Sequence, residues 1–194
     1  ALKDKVAEFW HPSHYFECQP RYQNDFSAFV PIMTGCNNFC SYCVVPYVRG
    51  KEISRPAADI VDEVKLLVKK GHKEIVLIGQ NVNSYRSQIS HGLKTDSTQI
   101  TQIIFPTLLK LINSLPGEFW LRFITSHPKD MSDELIEIMA KCQKFCAYVH
   151  LPVQSGDNQI LKKMNRRYTV SHYKKLIKKV RAAFKKYRPA CPCG

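Results

Sequence analysis

Residues 56–81 read PAADIVDEVKLLVKKGHKEIVLIGQN, and this stretch decides the architecture. Pro56 stands where a helix can begin at no cost, because the first N–H groups of a helix have no partner inside it. Ile60, Val61, Val64, Leu67 and Val68 recur at helical spacing on one face, and Gly71 follows at the position of a C-terminal cap. At residue 74 the period changes. EIVLI is apolar without alternation and runs into Gly79, Gln80 and Asn81. A strand buried on both faces reads this way, and such strands belong to parallel sheets covered by helices.

The same alternation extends on either side. FVPIMT (29–34) predicts a first strand ending at Gly35, with Pro31 placing it at a strand start or a sheet edge. Residues 83–100 are polar and aperiodic and read as a loop. Phe105, Leu108, Leu109, Ile112 and Leu115 predict a second helix, stopped by Pro116 and Gly117. WLRFIT (120–125) predicts a third strand. Ser132 caps a third helix that turns Leu135, Ile136, Ile138 and Met139 inward. Residues 148–153 predict a fourth strand. A last helix carries Tyr173, Leu176, Ile177, Val180, Phe184 and Tyr187 on one face and lysines on the other. Four strand–helix units in succession predict an α/β fold, a partial (β/α) barrel. The predicted strands end in Gly35-Cys36, Gln80-Asn81, Ser126-His127 and Gln154-Ser155. Ligands bind at the C-terminal strand ends of parallel α/β folds, so these residues mark a candidate site.

With 194 residues, 44% of them hydrophobic, the chain can bury a core, and no apolar run approaches the length of a membrane span. Residues 1–27 are mixed and polar and read as a linker or arm; residues 28–188 form the core domain and 189–194 a ragged C-terminus. The first residue is Ala1, and a chain that opens without methionine is expected to start inside a longer protein. Twenty-nine Lys and Arg stand against sixteen Asp and Glu, a net charge of +13. Twelve of the basic residues, and none of the acidic ones, fall in residues 158–194. Such a block suits a polyanion such as nucleic acid; it is equally the solvated face of a helix.

Eight cysteines occur, at 18, 36, 40, 43, 142, 146, 191 and 193. No signal peptide accompanies them, so reduced thiols are expected, some of them metal ligands. Cys142 and Cys146 read as core thiols. The informative group is GCNNFCSYC (35–43), three cysteines at gaps of three and two residues in the loop after the first strand. Thiolates are the ligands of iron–sulfur clusters. One loop can hold three corners of such a cube and leave the fourth iron for a substrate or cofactor. Zinc, completed by His150 or Cys146, is the competing reading, and so is a plain structural or disulfide role.

Cys-x3-Cys-x2-Cys after a first strand resembles the signature of the radical S-adenosylmethionine (SAM) enzymes. CVVPYVRGKEISRP (43–56), LIGQNVNSY (77–85), LRFITSHPKDM (121–131), HLPVQSGDNQIL (150–161) and MNRRYT (164–169) resemble, in the same order, the tRNA methylthiotransferases of that family. The resemblance covers residues 28–180, about the first two-thirds of the family's radical domain. It implies that Cys36, Cys40 and Cys43 hold a 4Fe–4S cluster whose fourth iron chelates SAM. An electron then splits SAM into methionine and a 5′-deoxyadenosyl radical. It implies transfer of a methylthio group to C2 of N6-isopentenyladenosine 37 beside the tRNA anticodon, in the cytoplasm. An electron donor such as flavodoxin or ferredoxin, a monomeric state, and a second 4Fe–4S cluster in a preceding N-terminal domain go with it. Sister enzymes modify a ribosomal protein or other tRNA adenosines, and a zinc-containing RNA-binding module is the reading from another class.

By the same resemblance, Phe39 and Tyr42 flank the adenine or shield the cluster. Gln80, Asn81, Asn83, Ser126, His127, Gln154 and Ser155 line the SAM cavity. Arg49, Lys51, Arg55, Arg166 and Arg167 meet RNA phosphates, and Lys178 and Lys179 extend that surface along the last helix.

Overall fold

The computed structural model describes residues 16, 20–22, 24–88 and 102–188. Cys18, Cys191 and Cys193, most of the arm expected over 1–27, the C-terminus at 189–194 and much of the expected loop after residue 88 lie outside the described residues.

Three parallel strands form the centre: β1 (Ser27–Pro31), β4 (Glu74–Ile78) and β7 (Trp120–Phe123), in the order β1-β4-β7. Their register sets Ala28, Ile75 and Leu121 in one row across the sheet and Val30, Leu77 and Phe123 in the next. All six are fully buried. Pro31 is the last residue of β1, and β1 is the edge strand, where a missing N–H breaks no ladder. The expected first strand ends early: Ile32 interrupts it, and Met33–Thr34 (β2) turns away to pair antiparallel with Ile53–Ser54 (β3). A single helical turn, α1 (Val45–Val48), lies between them.

Helix α2 (Ala57–Lys69) starts behind Pro56 and buries Ala57, Ile60, Val64 and Leu67. Helix α3 (Phe105–Asn113) buries Leu108, Leu109 and Ile112 beside the Phe105–Phe123 ring pair at 5.1 Å. In α4 (Asp133–Lys141) Ser132 Oγ accepts from the Leu135 N–H at 3.1 Å, a cap worth about 1 kcal/mol. Helix α5 (Asn158–Lys163) is short, and α6 (Val170–Tyr187) packs along α4 with Leu176 buried and Tyr173, Ile177, Val180 and Phe184 partly so. A small antiparallel pair joins β5 (Arg86–Gln88), inside the stretch read as loop, to β6 (Gln102–Ile104), just beyond it.

The fourth strand expected over 148–153 does not form. The sheet's next position is held by a single bridge, Leu121 with Phe145. Beyond it, side-chain hydroxyls take the carbonyls that a neighbouring strand would use: Tyr173 donates to Leu151 O at 2.8 Å and Tyr168 to Val153 O. The fold is therefore α/β with three full strand–helix units and an abbreviated fourth, consistent with a partial (β/α) barrel.

Candidate metal centre

The thiol loop leaves β2 through Gly35, whose φ of +74° is left-handed; a Cβ there would run into the Lys51 carbonyl. The β2–β3 pair brings residues 50–52 alongside. The Cys36 N–H donates to Gly50 O at 3.2 Å, and the Glu52 N–H to Asn37 Oδ1 at 3.1 Å. A second set of ties comes from the far end of the chain. Ser41 donates through Oγ to Lys163 O (2.8 Å) and through N–H to Met164 O (3.2 Å). Asn165 Nδ2 donates to Phe39 O at 2.6 Å, and Arg166 Nη1 to Cys40 Sγ at 3.3 Å. The segment 163–166 reaches the loop because Asp157 caps α5, its Oδ1 accepting from the Ile160 N–H at 2.9 Å. Asn165 then breaks the chain direction at φ +53°, a conformation Asn tolerates.

Cys36 and Cys40 are buried, Cys43 is half-buried, and all three thiols are free. Burial pushes the Cys36 thiol up, and the Asn38 N–H, 3.4 Å from Sγ, opposes that. Cys40 has the Arg166 guanidinium. Three thiols on one clamped loop, two of them receiving N–H donors, are a donor set suited to an iron–sulfur cluster. Among the described residues no three His, Cys, Asp or Glu converge to hold a single metal ion. Phe39 and Tyr42 are about half exposed at the rim, Phe39 edge-on to Tyr47 at 6.0 Å.

At the same edge of the sheet, the end of β4 offers Gln80 Oε1 and Asn81 Oδ1, both buried and both without a hydrogen-bond partner. Asn81 Nδ2 is fixed by Asp130 Oδ2 at 2.8 Å, which orients its free oxygen. Unsatisfied buried acceptors cost about 1–3 kcal/mol each, so such a pair marks a place where a donor belongs. Asn83 Nδ2 donates to His127 O (2.9 Å) and its Oδ1 accepts from the His127 N–H (3.0 Å), so the amide ties two loops together. Ser126 likewise donates to His150 O. His127 Nδ1 accepts from the Lys129 N–H at 3.0 Å, and burial, aided by the charge of Arg166, pushes this histidine down to about 4. Ser155 Oγ accepts from the Asp157 N–H at 3.1 Å; Gln154 is exposed, with φ +71°.

Two expected phosphate ligands are placed elsewhere. Arg55 is half-buried in an ion pair with Glu63 and also donates to Pro31 O at 3.4 Å, so it anchors α2 to β1. Arg166 is 8% exposed and enclosed by Cys40, Tyr42 and the Tyr168 ring. Lys179 holds Asp133 through both carboxylate oxygens, at 2.7 and 2.8 Å. Arg49, Lys51, Arg167 and Lys178 are exposed. Arg167 lines an open groove of about 560 Å³ with Asn158, Lys162, Asn165 and Thr169.

Sequence reading missed Thr125. This β-branched residue has φ +65°, held there by Oγ1 donating to Gly79 O (2.6 Å) and N–H donating to His150 Nδ1 (3.2 Å). Strain of about 1–3 kcal/mol in such a conformation is typical of functional edges. No sequence signal marks it. The Asp157 cap of α5 was missed as well, although an Asp three residues ahead of Ile160 is a recognisable helix-start signal. Cys142 is buried and Cys146 half-buried, both as free thiols.

The Radical SAM superfamily model matches residues 30–191. The chain is 55% identical over 161 residues to the tRNA-2-methylthio-N(6)-dimethylallyladenosine synthase of Clostridium novyi (strain NT), covering 83% of this chain and 33% of that protein. The protein of the same name from Treponema denticola is 46% identical over 188 residues, covering 91% of this chain and 40% of that one. The chain thus spans about a third of the length of the curated relatives it matches. Among solved structures, the radical S-adenosylmethionine methyltransferase TsrM of Kitasatospora setae superposes with a TM-score of 0.61 at 19% identity, over 81% of this chain and 29% of that one. The cobalamin-dependent S-adenosylmethionine radical enzyme OxsB gives 0.58 at 11% identity, over 80% and 22%. At those identities the likeness concerns the fold.

Proposed function

Because this chain belongs to the radical SAM superfamily, we propose that Cys36, Cys40 and Cys43 hold a 4Fe–4S cluster. We further propose that the chain is the SAM-cleaving part of an enzyme that transfers a methylthio group to C2 of N6-isopentenyladenosine 37 in tRNA. The observation that carries this reading is the clamped thiol loop at the same sheet edge as two unpartnered acceptors. The names of the relatives supply the substrate class.

Bound at the three thiols, the cluster supplies the electron that cleaves SAM. The rest is done by this chain's own side chains. Gln80 Oε1 and Asn81 Oδ1 accept from the ammonium or the ribose hydroxyls of SAM. Phe39 and Tyr42, at the rim, cover the adenine and keep water out, which a reactive intermediate requires. Asn83, Ser126 and His127 hold the loops that carry these groups. Gln154 and Ser155 border the cavity. Arg49, Lys51, Arg167 and Lys178, with Lys179 when Asp133 releases it, meet tRNA phosphates, while the target base leaves its stack to enter the cavity. A one-electron donor such as flavodoxin or ferredoxin, a monomeric enzyme, a cytoplasmic location and a second 4Fe–4S cluster in the full-length protein accompany the proposal. No helix among the described residues is long and apolar enough to cross a membrane.

Anaerobic reconstitution with iron and sulfide tests the centre. The expected result is about four irons per chain with a brown colour, and none in Cys40→Ala. A colourless protein that retains zinc instead would overturn the reading. Incubating the full-length protein with tRNA, SAM and a reductant, and weighing the nucleosides, tests the substrate.

A further inference from the structure

Arg166 is a buried cation that the SAM chemistry above does not use, and its surroundings are specific. Its Nη1 lies 3.3 Å from Cys40 Sγ and 3.4 Å from the Tyr42 hydroxyl. Its guanidinium carbon stands 5.4 Å from the centre of the Tyr168 ring. No carboxylate pairs with it among the ion pairs of the described residues. Its Nε is buried and has no hydrogen-bond partner. A guanidinium without a counter-charge is expensive to enclose, by several kcal/mol. The negative charge that offsets it must therefore come from what it faces, and it faces a cysteine sulfur.

We propose, resting on the cluster assignment above, that Arg166 is a positioning residue for the metal centre, orienting Cys40 as a ligand and balancing the negative charge that ligation places on its sulfur. Three further contacts serve the same end. Ser41 is bound to Lys163 O and Met164 O, and Phe39 O receives Asn165 Nδ2. Residues 39, 40 and 41 are thus each held by the short segment 163–166. Arg167, the next residue, points its charge outward instead. The adjacent arginines consequently do unlike work, one toward the sulfur and one toward solvent. A positive charge fixed beside a ligand sulfur favours whichever oxidation state carries more negative charge. Removing it therefore makes the centre harder to reduce by one electron from a low-potential donor such as dithionite.

The test uses the intact protein, reconstituted anaerobically, with Arg166→Gln, Arg166→Lys and Arg167→Gln. Iron content and the midpoint of an electron-paramagnetic-resonance redox titration are read for each. Arg166→Gln is expected to shift the midpoint to lower potential and to lose iron to a chelator faster. Arg166→Lys should fall between it and the parent, and Arg167→Gln should match the parent. A parent-like midpoint and chelation rate in a fully loaded Arg166→Gln protein would overturn the proposal. If circular dichroism finds Arg166→Gln unfolded, Arg166→Lys decides, since it keeps the charge and loses the planar fork. A parent-like midpoint and iron-release rate there would also overturn it, and a change in either would support it. Failure of the parent to take up iron and sulfide would instead remove the cluster assignment itself.

Discussion

At Arg166 a guanidinium is shut between a thiol, a phenol and an aromatic face, whereas at Lys178 on α6 an ammonium of the same charge stands in solvent. The two belong to one basic block of sequence. What separates them is the number of partners their surroundings impose. Around the thiol loop, residues 36, 37, 39, 40 and 41 are each bound to a named atom elsewhere in the chain, so a change there alters geometry. Along α6, Lys174 with Lys178 and Lys175 with Lys179 repel at i, i+4 spacing, and only Lys179 has found a carboxylate, Asp133, across to α4. Charge there acts through its field. A count of basic residues cannot distinguish these uses; burial and partners can.

The contrast breaks most visibly at Gly35. Gly35→Ala combines a left-handed φ with a backbone collision, and its expected cost is on the order of 3–4 kcal/mol together with loss of iron loading. Urea denaturation showing a parent-like midpoint would mean the loop is less constrained than described. His127 comes next. Its folded-state value of about 4 lies below the ordinary 6.5, so the neutral form is favoured by folding. The associated stability is present above about pH 6.5 and is lost as pH falls through about 4. It amounts to about 3 kcal/mol over that window. His127→Asn should flatten the slope measured by denaturation at stepped pH; an unchanged slope assigns it to other groups.

Asn83→Ala leaves the buried His127 N–H unpaired, while the His127 carbonyl keeps the Asp130 N–H at 3.0 Å, and about 2 kcal/mol is expected to be lost in the same assay. The smallest effects belong to α6. Lys179→Ala should change stability by no more than about 0.5 kcal/mol, because its ion pair with Asp133 is exposed. Lys178→Ala should be neutral or stabilising by a few tenths. It should also reduce the slope of log affinity for tRNA against log salt by about 1. A destabilisation comparable to Asn83→Ala would erase the distinction between the two regions.

The elements built on repetition were readable in advance. Ile60, Val64 and Leu67 announce α2, and the unbroken EIVLI run announces a strand buried on both faces. The cysteine triplet stood out because three thiols so close on a loop have few uses. Residues 148–153 misled because apolar character is compatible with a strand but does not supply a neighbour to pair with. Two tyrosine hydroxyls, on Tyr168 and Tyr173, had already claimed the carbonyls. The partners of Arg55 and Arg166, Glu63 and Cys40, were not legible for a related reason, since folding brings them near. Asn83 shows the same limit, being a ligand-type residue at a strand end whose amide serves a loop 44 residues away.

The ties between the thiol loop and residues 163–166 span up to 126 positions of chain. A ribosome delivers the cysteines long before it delivers their clasp. Until that clasp emerges the loop has only its ties to residues 50–52. On the cluster assignment proposed above, full closure around the cofactor would accordingly wait on a segment that contributes no sulfur of its own.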